Sequence, residues 1–325
     1  MRIGIIGALG KRGKELEKLF TENKNTEVTL TCDGERNELD CLKCNEFDVA
    51  VIATPDWLHK RHVFLALENN KEVYLEKPMA INPDDCMNII KASIRKNRTV
   101  YVGHNLRHFT VIKEIKEIID SGTIGDVKTI WCQHSISYGL ENYFKRWHKY
   151  KSNIGGLLIH KACHDFDIIN WFSNSHSKSV VAVGDSLMYG KDDECVEDVS
   201  SVIMELENGV HATYSQCHFA HRGCREYTVI GTKGTVKNID DNPTTAVVQL
   251  FHKNKYANST PVREWRFKKE QGFHGEADKK TIDEFVNIIE NKTSTIDRLY
   301  ESANAVKTGY YATESLRNNS IKINF

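Results

Sequence analysis

The spacing of apolar and polar positions divides the chain into two parts of different character. In the first part, short apolar runs at residues 2–7, 28–32 and 48–53 alternate with stretches of helical periodicity, beginning at residues 11–21. The segments "KEVYLEKP" and "RTVYVGHNLR" continue this alternation. Strands that alternate with helices are typical of a parallel sheet with crossover helices, so we predict an α/β domain over residues 1–122.

The second part, residues 123–325, follows a predicted helix near 109–120 and the turn "SGTIGD". Strand-like segments now follow one another around a single helix, and Asn208-Gly209 between two of them is a strong hairpin signal. We predict an α+β domain with a large, open, mostly antiparallel sheet. Two helices near residues 276–291 and 299–317 close the sequence, and the last is a candidate for packing back on the first domain.

Charge and hydropathy exclude several classes of partner. The 44 Lys and Arg residues balance the 44 Asp and Glu residues, which gives no bulk attraction to nucleic acid or to an anionic membrane. No window holds eighteen consecutive apolar residues, and the N-terminus continues directly into a strand pattern rather than a signal peptide. We therefore expect a cytoplasmic protein without nucleic acid or membrane partners.

The nine cysteines show no spacing typical of a disulfide framework, so we expect reduced thiols. Cys41 and Cys44 form a lone CxxC, which could be half of a zinc knuckle or a redox pair. Because no second CxxC accompanies it, we favour a coincidental surface pair.

A glycine-rich turn joins the first strand to the first helix. Glycine lets a backbone approach a pyrophosphate, which is then stabilised by the helix N-terminus. The spacing here is GxxGxxG rather than GxGxxG, and by itself it is a weak signal that a purely structural strand–helix turn also explains. The residues predicted to contact a cofactor are Gly7, Gly10, Lys11, Arg12 and Gly13.

The residue that ends the second strand strengthens a dinucleotide interpretation. Asp33 lies about twenty residues after the turn, where a carboxylate can accept hydrogen bonds from the ribose of NAD and repel a 2′-phosphate. Arg36, three residues later, could instead favour NADP, or could be a solvated loop charge. We predict NAD as the cofactor, with NADP as the alternative.

Glu76-Lys77-Pro78 lies where another predicted parallel strand ends. Ligands of such sheets bind outside the carboxyl ends of the strands, and Pro78 restricts Lys77 to an extended conformation. Lys77 is therefore predicted to point towards the cofactor. Taken alone, the same residues also fit an exposed loop lysine.

The segment "IGGLLIHKACHDFDIINWF", residues 154–172, combines an apolar helical pattern with ionisable side chains. A single helix would place His160, His164, Asp167 and Trp171 on one stripe, and apolar residues on the opposite side. A dehydrogenase must remove the hydroxyl proton of its substrate, and histidine is suited to that at neutral pH. We predict His164 as the base, with Lys77 holding the same oxygen.

Two alternatives apply to this helix. Its histidines could simply be exposed, or His160, Cys163 and His164 could bind zinc with a remote fourth ligand. The spacing is common by chance, and we predict no metal.

The glycine turn, Asp33, Glu76-Lys77-Pro78 and the glycine-histidine segment occur in this order along nearly the whole chain. The chain thereby resembles the Gfo/Idh/MocA family, the glucose-fructose oxidoreductase and inositol dehydrogenase-like proteins. The resemblance implies an N-terminal Rossmann domain, a C-terminal domain with an open antiparallel sheet, and a nicotinamide dinucleotide bound at the switch point. It also implies oligomerisation through the open sheet, as a homodimer or homotetramer.

The same resemblance assigns further residues to the site. Those implied beside the cofactor are Thr54, Pro55, His59, Glu76 and Lys77. Those implied at the substrate are Asn105, Arg107, Trp147, His148, Lys161 and His274.

Two positions depart from the pattern of that family. His160 stands where many of its polyol dehydrogenases carry aspartate, so that His160, as a third candidate catalytic residue, or its neighbour Lys161 would share the proton relay or bind substrate. In "GFHGEAD", Glu276 and Ala277 replace two glycines of an HGGGD segment, while His274 and Asp278 are retained.

These features predict an NAD(P)-dependent oxidoreductase acting on the CH–OH group of a sugar, cyclitol or related polyol. One alternative is a redox-neutral hydrolase or lyase that oxidises its substrate transiently, for which the His160-Lys161 pair would supply acid–base chemistry. Another is a non-catalytic NAD or sugar sensor, which would require neither Lys77 nor His164 for proton transfer.

Overall fold

The computed structural model describes residues 1–33, 38–190, 192–242, 245–252, 260–267 and 274–325. Contacts divide the chain into two compact units. The first comprises Met1–Asn105 and Asp278–Lys307, and the second comprises Leu106–Ala277 and Thr308–Phe325. The sequence predicts a single domain boundary near residue 122, whereas the chain passes from one unit to the other at three places, after residues 105, 277 and 307. Within the described residues, no helix is both long enough and apolar enough to cross a bilayer.

The first unit contains a five-stranded sheet in the order β2-β1-β3-β4-β5, and every neighbouring pair is parallel. The order reverses between β1 and β3, which is the position where open α/β sheets bind ligands. The strands are β1 (Arg2–Ile6), β2 (Glu27–Cys32), β3 (Val49–Ile52), β4 (Glu72–Leu75) and β5 (Val100–Val102).

Local sequence signals set the ends of one helix in this unit, at residues 83–96. Before α4, the side chain of Asn82 accepts a hydrogen bond from the Asp85 N–H and Pro83 occupies the first turn; Asn97 ends the helix with a left-handed conformation. The helices are α1 (Lys11–Glu22), α2 (Glu38–Cys41), α3 (His59–Glu68), α4 (Pro83–Lys96), α9 (Ala277–Asn291) and α10 (Ile296–Arg317), of which α10 contributes to both units.

An aromatic cluster forms the centre of the core of the first unit. The ring of Phe20 from α1 lies edge-on to Tyr74 of β4 at 5.6 Å and to Phe285 of α9 at 6.3 Å. Tyr101 of β5 packs on Phe285 and donates its hydroxyl hydrogen to Glu284. Helix α9 is thus part of the hydrophobic core under the parallel sheet, although it lies about 175 residues later in the chain than β5.

The second unit contains a nine-stranded sheet in the order β13-β12-β11-β10-β6-β9-β8-β7-β14. Only β6 and β9 pair in parallel among these strands. The predicted Asn208-Gly209 hairpin is confirmed, since the Leu206 N–H donates to Val210 and Gly209 has a φ of 82°. The strands are β6 (Val127–Ser135), β7 (Ser177–Asp185), β8 (Val199–Leu206), β9 (His211–Cys217), β10 (Cys224–Gly231), β11 (Gly234–Asn238), β12 (Val247–His252), β13 (Arg263–Arg266) and β14 (Ile323–Asn324).

The segment at residues 154–172 differs from the single helix that its periodicity predicts. It forms two helices that are interrupted at Lys161 and Ala162, and Gly155 ends the preceding turn at a φ of 72°. Every residue of α8 except Trp171 is buried, so its ionisable side chains lie in the interior and not on a polar face. The helices are α5 (Thr110–Asp120), α6 (Lys151–Ile154), α7 (Leu157–His160) and α8 (Cys163–Ser173).

The expectation that all nine cysteines are reduced is wrong for one pair. Cys32 at the end of β2 and Cys41 in α2 form a disulfide, with their Cα atoms 6.6 Å apart. The short helix α2 folds back beside the end of β2, and this proximity has no signature in the spacing of the cysteines. Cys44 of the CxxC pair is a free, half-buried thiol.

Candidate active site

The glycine turn after β1 is tightly constrained by its own backbone. Gly7 has a φ of +88°, and a Cβ atom on Gly13 would lie 2.1 Å from the Gly7 carbonyl oxygen. Both positions therefore require glycine, which brings the start of α1 against the turn. Gly10 precedes α1 with an ordinary φ of −62°. A turn this close to a helix N-terminus at the switch point fits the pyrophosphate of a dinucleotide.

Asp33 lies directly after β2, beside this turn. Its carboxylate accepts a hydrogen bond of 2.6 Å from the Leu9 N–H. The contact fixes the carboxylate at the switch point, where a ribose of a bound dinucleotide would be placed. Arg36, the residue that the sequence offers in favour of NADP, lies outside the described residues.

Arg12 faces carboxylates of its own unit. Its Nε donates to Glu76 at 2.7 Å and one terminal nitrogen donates to Asp278 at 3.0 Å. Asn105 donates to the same Asp278 oxygen at 2.8 Å. The two carboxylates outweigh the effect of burial and hold the pKa of Arg12 well above its usual value. Arg12 thus links the glycine turn to the Glu76-Lys77-Pro78 segment.

His59 connects two loops at the carboxyl ends of β3 and β4. Its Nδ1 lies 2.7 Å from the Pro78 carbonyl oxygen and its Nε2 lies 2.9 Å from the Thr54 carbonyl oxygen. The hydroxyl of Thr54 contacts Nδ1 of His62 at 3.0 Å. Burial, with the nearby charges of His59 and Arg61, lowers the pKa of His62 to about 4. These contacts fix the loop that carries Pro55 and the turn that carries Lys77.

Lys77 is the second residue after β4 and is half-buried, and its peptide bond to Pro78 is cis. Its carboxyl-end position agrees with the prediction from the parallel sheet. In the same segment Glu76 is buried, which leaves Lys77 as the more accessible ionisable side chain.

In the second unit, Asp165 of α8 is completely buried within a polar network on the sheet. Arg225 of β10 contacts Asp165 at 2.9 Å and Asp241 at 2.9 Å. Tyr227 donates its hydroxyl hydrogen to Asp165, and His134 of β6 lies 3.3 Å from the other oxygen. Arg225 and the hydrogen bonds outweigh the desolvation of Asp165 and lower its pKa.

Asp167, two residues further along α8, forms a second buried ion pair. Arg107 donates from Nε and from a terminal nitrogen to its two oxygens at 2.7 and 2.6 Å. This bidentate pair is 7% exposed on the arginine and 1% on the aspartate. His164, which begins this sequence HDFD, lies in the first turn of α8 and is itself buried. The two ion pairs fix the backbone on which His164 is placed.

Aromatic rings and imidazoles surround Tyr143, which lies in the single-turn π-helix Leu140–Phe144. The rings of His148, His160 and His218 lie 5.7, 5.7 and 5.2 Å from the Tyr143 ring. Trp147 stacks on His148 at 3.6 Å, and His148 lies 5.0 Å from His160. We call this set the histidine cluster. It brings together three of the predicted substrate or catalytic residues, Trp147, His148 and His160.

Lys161, the residue after α7, lies beside this cluster and is half-buried. Its Nζ is 3.5 Å from the hydroxyl oxygen of Tyr138 and 5.9 Å from the centre of that ring. The ring of His274 lies 6.0 Å from that of Phe109 at the start of α5.

Within the described ranges, no group of three or more His, Cys, Asp or Glu side chains is arranged to hold a metal ion. The zinc alternative at His160, Cys163 and His164 has no support from this geometry, since the thiol of Cys163 instead contacts the His160 carbonyl oxygen at 3.4 Å.

Several polar residues of the second unit were not identified from the sequence, namely His134, Asp165, His218, Arg225, Tyr227 and Asp241. Four of them lie in strands or just after one. Polar and apolar residues alternate around them as they do in any half-buried strand. The only signal for them in the sequence was a histidine or an arginine at a strand position that faces the interior. To know which positions face the interior one needs the sheet register, which the sequence does not give.

The described geometry combines a parallel α/β unit, with a glycine turn at its switch point, and a large mixed sheet that packs against a helix rich in buried ionisable groups. This combination defines a class of proteins with a dinucleotide-binding fold followed by a large mixed-sheet domain. The chain belongs to the Gfo/Idh/MocA oxidoreductase family: the C-terminal alpha/beta domain of that family matches residues 116–325, and its NAD-binding Rossmann fold matches residues 37–104.

Individual relatives are more distant. A 2,7-anhydro-N-acetylneuraminate hydratase of Escherichia coli (strain K12) is 28% identical over 275 residues, which cover 78% of this chain and 71% of that protein. The structure of scyllo-inositol dehydrogenase from Lactobacillus casei with NAD(H) and scyllo-inositol has a TM-score of 0.80 at 21% identity, over 100% of this chain and 98% of that one. The structure of myo-inositol 2-dehydrogenase from Lactobacillus plantarum has a TM-score of 0.82 at 19% identity, over 100% of this chain and 99% of that one. At these identities the structural matches show the fold.

Proposed function

We propose that this protein is an NAD(P)-dependent oxidoreductase acting on a CH–OH group of a sugar, cyclitol or related polyol. The bound nicotinamide would accept or supply hydride at the ring carbon. The observation that carries the proposal is the fixed position of His164, which is adjacent to Asp165 and three residues from Asp167, both held by buried arginines. A histidine on a backbone held in this way can transfer a proton without reorganising its surroundings.

The roles proposed for individual residues follow the chemistry. Lys77 binds and polarises the oxygen on the reacting carbon, and His164 exchanges the proton of that oxygen. His160 assists the relay, since it occupies the position of the aspartate found in many polyol dehydrogenases of the family. Trp147 and His148 contribute an aromatic wall that suits the apolar face of a sugar ring.

NAD is the proposed cofactor. The carboxylate of Asp33, held at the end of β2 by the Leu9 N–H, suits a free ribose hydroxyl and disfavours a 2′-phosphate. Titration of the purified protein with NAD and NADP tests this, and Asp33→Ala should reduce the preference for NAD.

The test of the reaction uses a panel of sugars and cyclitols with NAD, with NADH absorbance as the readout. For an active substrate, His164→Ala and Lys77→Ala should each lower kcat/KM by about 10²- to 10⁴-fold. The affinity of His164→Ala for NAD, measured by calorimetry, should remain that of the unsubstituted protein. Full activity in either variant would contradict the proposed roles.

A second candidate is a redox-neutral reaction, in which the substrate is oxidised transiently, a neighbouring bond is cleaved or hydrated, and hydride returns. The similarity to a hydratase of Escherichia coli supports this second candidate. It would appear as substrate conversion that needs only catalytic amounts of NAD and produces no net NADH. A stoichiometric yield of NADH would instead identify the simple dehydrogenase.

We further propose a homodimer or homotetramer that associates through the nine-stranded sheet. Trp131 of β6 and Ile203 of β8 both pair in register with Thr213 of β9, and their side chains are 51% and 59% exposed. Large apolar side chains in one row of a sheet are typical of an interface. Light scattering of the intact protein measures the mass, and Trp131→Lys should lower it towards that of one chain.

A further inference from the structure

Lys161 is a cation without a carboxylate partner among the residues that the structure describes. The residue is half-buried, and its Nζ contacts the hydroxyl and the ring of Tyr138. No Asp or Glu oxygen of the described chain lies within 4 Å of it. A partly buried ammonium is poorly solvated, and an anion in contact with it would be stabilised.

The groups near Lys161 supply hydrogen bonds but little competing charge. His218, in the histidine cluster, is completely buried, and its two ring nitrogens have no hydrogen-bond partner among the described residues. Burial lowers its pKa well below the usual value, with the charges of His134, Lys161 and His160 acting in the same direction. At neutral pH it is therefore a neutral imidazole.

The carboxylates of Asp165 and Asp241 offer another explanation for Lys161, as a distant counter-ion. Both carboxylates already contact Arg225 at 2.9 Å, and neither lies within 4 Å of the Lys161 nitrogen. Burial lowers the pKa of His134 beside them to about 3, so this imidazole adds no positive charge at neutral pH. If Lys161 acted only as a distant counter-ion of these carboxylates, it would stabilise the folded protein but would not distinguish one ligand from another.

We propose that Lys161 binds a carboxylate of the substrate, so that the preferred substrates are acidic sugars or cyclitol carboxylic acids rather than neutral polyols. This inference rests on the proposed function and deepens it. One ammonium near the neutral imidazoles of His134 and His218 matches a single negative charge. A phosphoryl group carries nearly two charges and is typically held by arginines in bidentate contacts, and the arginine that lies in the adjacent network is already engaged by two aspartates.

The experiment compares matched acidic and neutral compounds: galacturonate with galactose, glucuronate with glucose, and quinate with myo-inositol. Binding to the full-length protein with NAD is measured by saturation-transfer NMR and calorimetry, and turnover by NADH absorbance. The variants are Lys161→Met, Lys161→Arg and, as a control, Lys128→Met, whose side chain is 62% exposed on the sheet. Galactose 1-phosphate is the phosphoryl probe.

We expect at least one acid to bind more tightly than its neutral partner. Lys161→Met should raise the KM or Kd for that acid by about 10- to 100-fold, as expected for the loss of a hydrogen-bonded charge partner. The values for the neutral compound should change less than about threefold, and kcat much less than KM. Lys161→Arg should recover part of the affinity, and Lys128→Met should behave as the unsubstituted protein.

Three results would overturn the inference. Equal losses for the acid and its neutral partner in Lys161→Met would identify Lys161 as a counter-ion of the Arg225 network. A preference for galactose 1-phosphate would assign the subsite to a phosphoryl group, and an absence of binding by all three acids would leave no carboxylate site. Lys161-dependent binding of an acid without NAD-dependent conversion would support the subsite while contradicting the proposed function.

Discussion

The two units differ in how far their networks of charged side chains are exposed to solvent. In the first unit, Arg12, Glu76, Asp278 and Asn105 form a chain of contacts at the glycine turn, and Arg12 remains 23% exposed. In the second unit, Arg225 and Asp165 are 7% and 0% exposed, and their network includes a tyrosine, a cysteine and a histidine. The first network is bordered by solvent, and the second is enclosed by the sheet and α8.

This difference separates two uses of a charged side chain. A contact that water can still reach sets the conformation of a loop at moderate cost, as expected for a cofactor-binding turn. An enclosed network holds a helix in one position, because breaking one contact would leave a buried charge that water cannot solvate. Lys161 represents a third case, a half-buried charge whose partner is proposed to arrive with the substrate.

The largest effect should follow from opening the enclosed network. Arg225→Met leaves Asp165 and Asp241 without their cation, and we expect a loss of about 3–5 kcal/mol in the free energy of unfolding. Denaturation followed by tryptophan fluorescence reports it, since four of the five tryptophans lie in the second unit.

The matched control for this prediction is Arg222→Met. Arg222 is 73% exposed and lies 3.7 Å from Asp240, so its replacement should have little effect. A loss below about 1 kcal/mol in Arg225→Met would show that the enclosed network is not essential, and the comparison of the two units would fail.

A smaller effect is expected from the equivalent change in the first unit. Arg12→Met removes the hydrogen bonds to Glu76 and Asp278, but the Arg12 and Asp278 side chains are 23% and 15% exposed, so water can replace part of the lost contacts, and we expect a loss of about 1–2 kcal/mol. Hydrogen exchange with mass spectrometry should localise it to peptides of residues 1–105 and 278–307. Exposed Arg2→Met is the control, and a loss as large as that of Arg225→Met would contradict the distinction.

The smallest effect concerns pH. Burial, chiefly, lowers the pKa of His134 to about 3, below the unfolded value near 6.5. Between these values the unfolded chain binds a proton that the folded protein does not, so stability falls as pH decreases. His134→Gln should make this dependence shallower by about 1.4 kcal/mol per pH unit at most.

The measurement is chemical denaturation at several values between about pH 4.5 and about pH 6, above the range in which Asp165 is protonated. His211→Gln, at an exposed position of β9, is the control. An unchanged slope in His134→Gln would mean that this histidine is solvated or protonated in the folded protein.

The sequence predicted much of the architecture correctly. The consecutive strand-like segments of the second half, together with Asn208-Gly209, predicted the antiparallel hairpin, and the alternation of strands and helices in the first half predicted the parallel sheet. The prediction failed at residues 154–172, where the helical period continued through Lys161 and Ala162 although the helix is interrupted there. Periodicity does not distinguish one helix from two that share a phase.

The candidate site was predictable where function depends on local backbone chemistry. Gly7 is required by its positive φ, and Gly13 by the close approach of the Gly7 carbonyl oxygen. The position of Lys77 was predicted from its place near the carboxyl end of a parallel strand. The roles assigned to Lys77, His160 and His164 remain predictions.

By itself, the sequence determined the order of the elements, the glycine turn, the family and the presence of ionisable groups in HDFD, because these depend on contacts between residues close in the chain. Only the tertiary structure decided which charges are paired. Arg225 lies 60 residues after Asp165, and Arg107 lies 60 residues before Asp167. Pairing over such distances depends on sheet register and on the enclosure of each group from water, and those are properties of the folded chain.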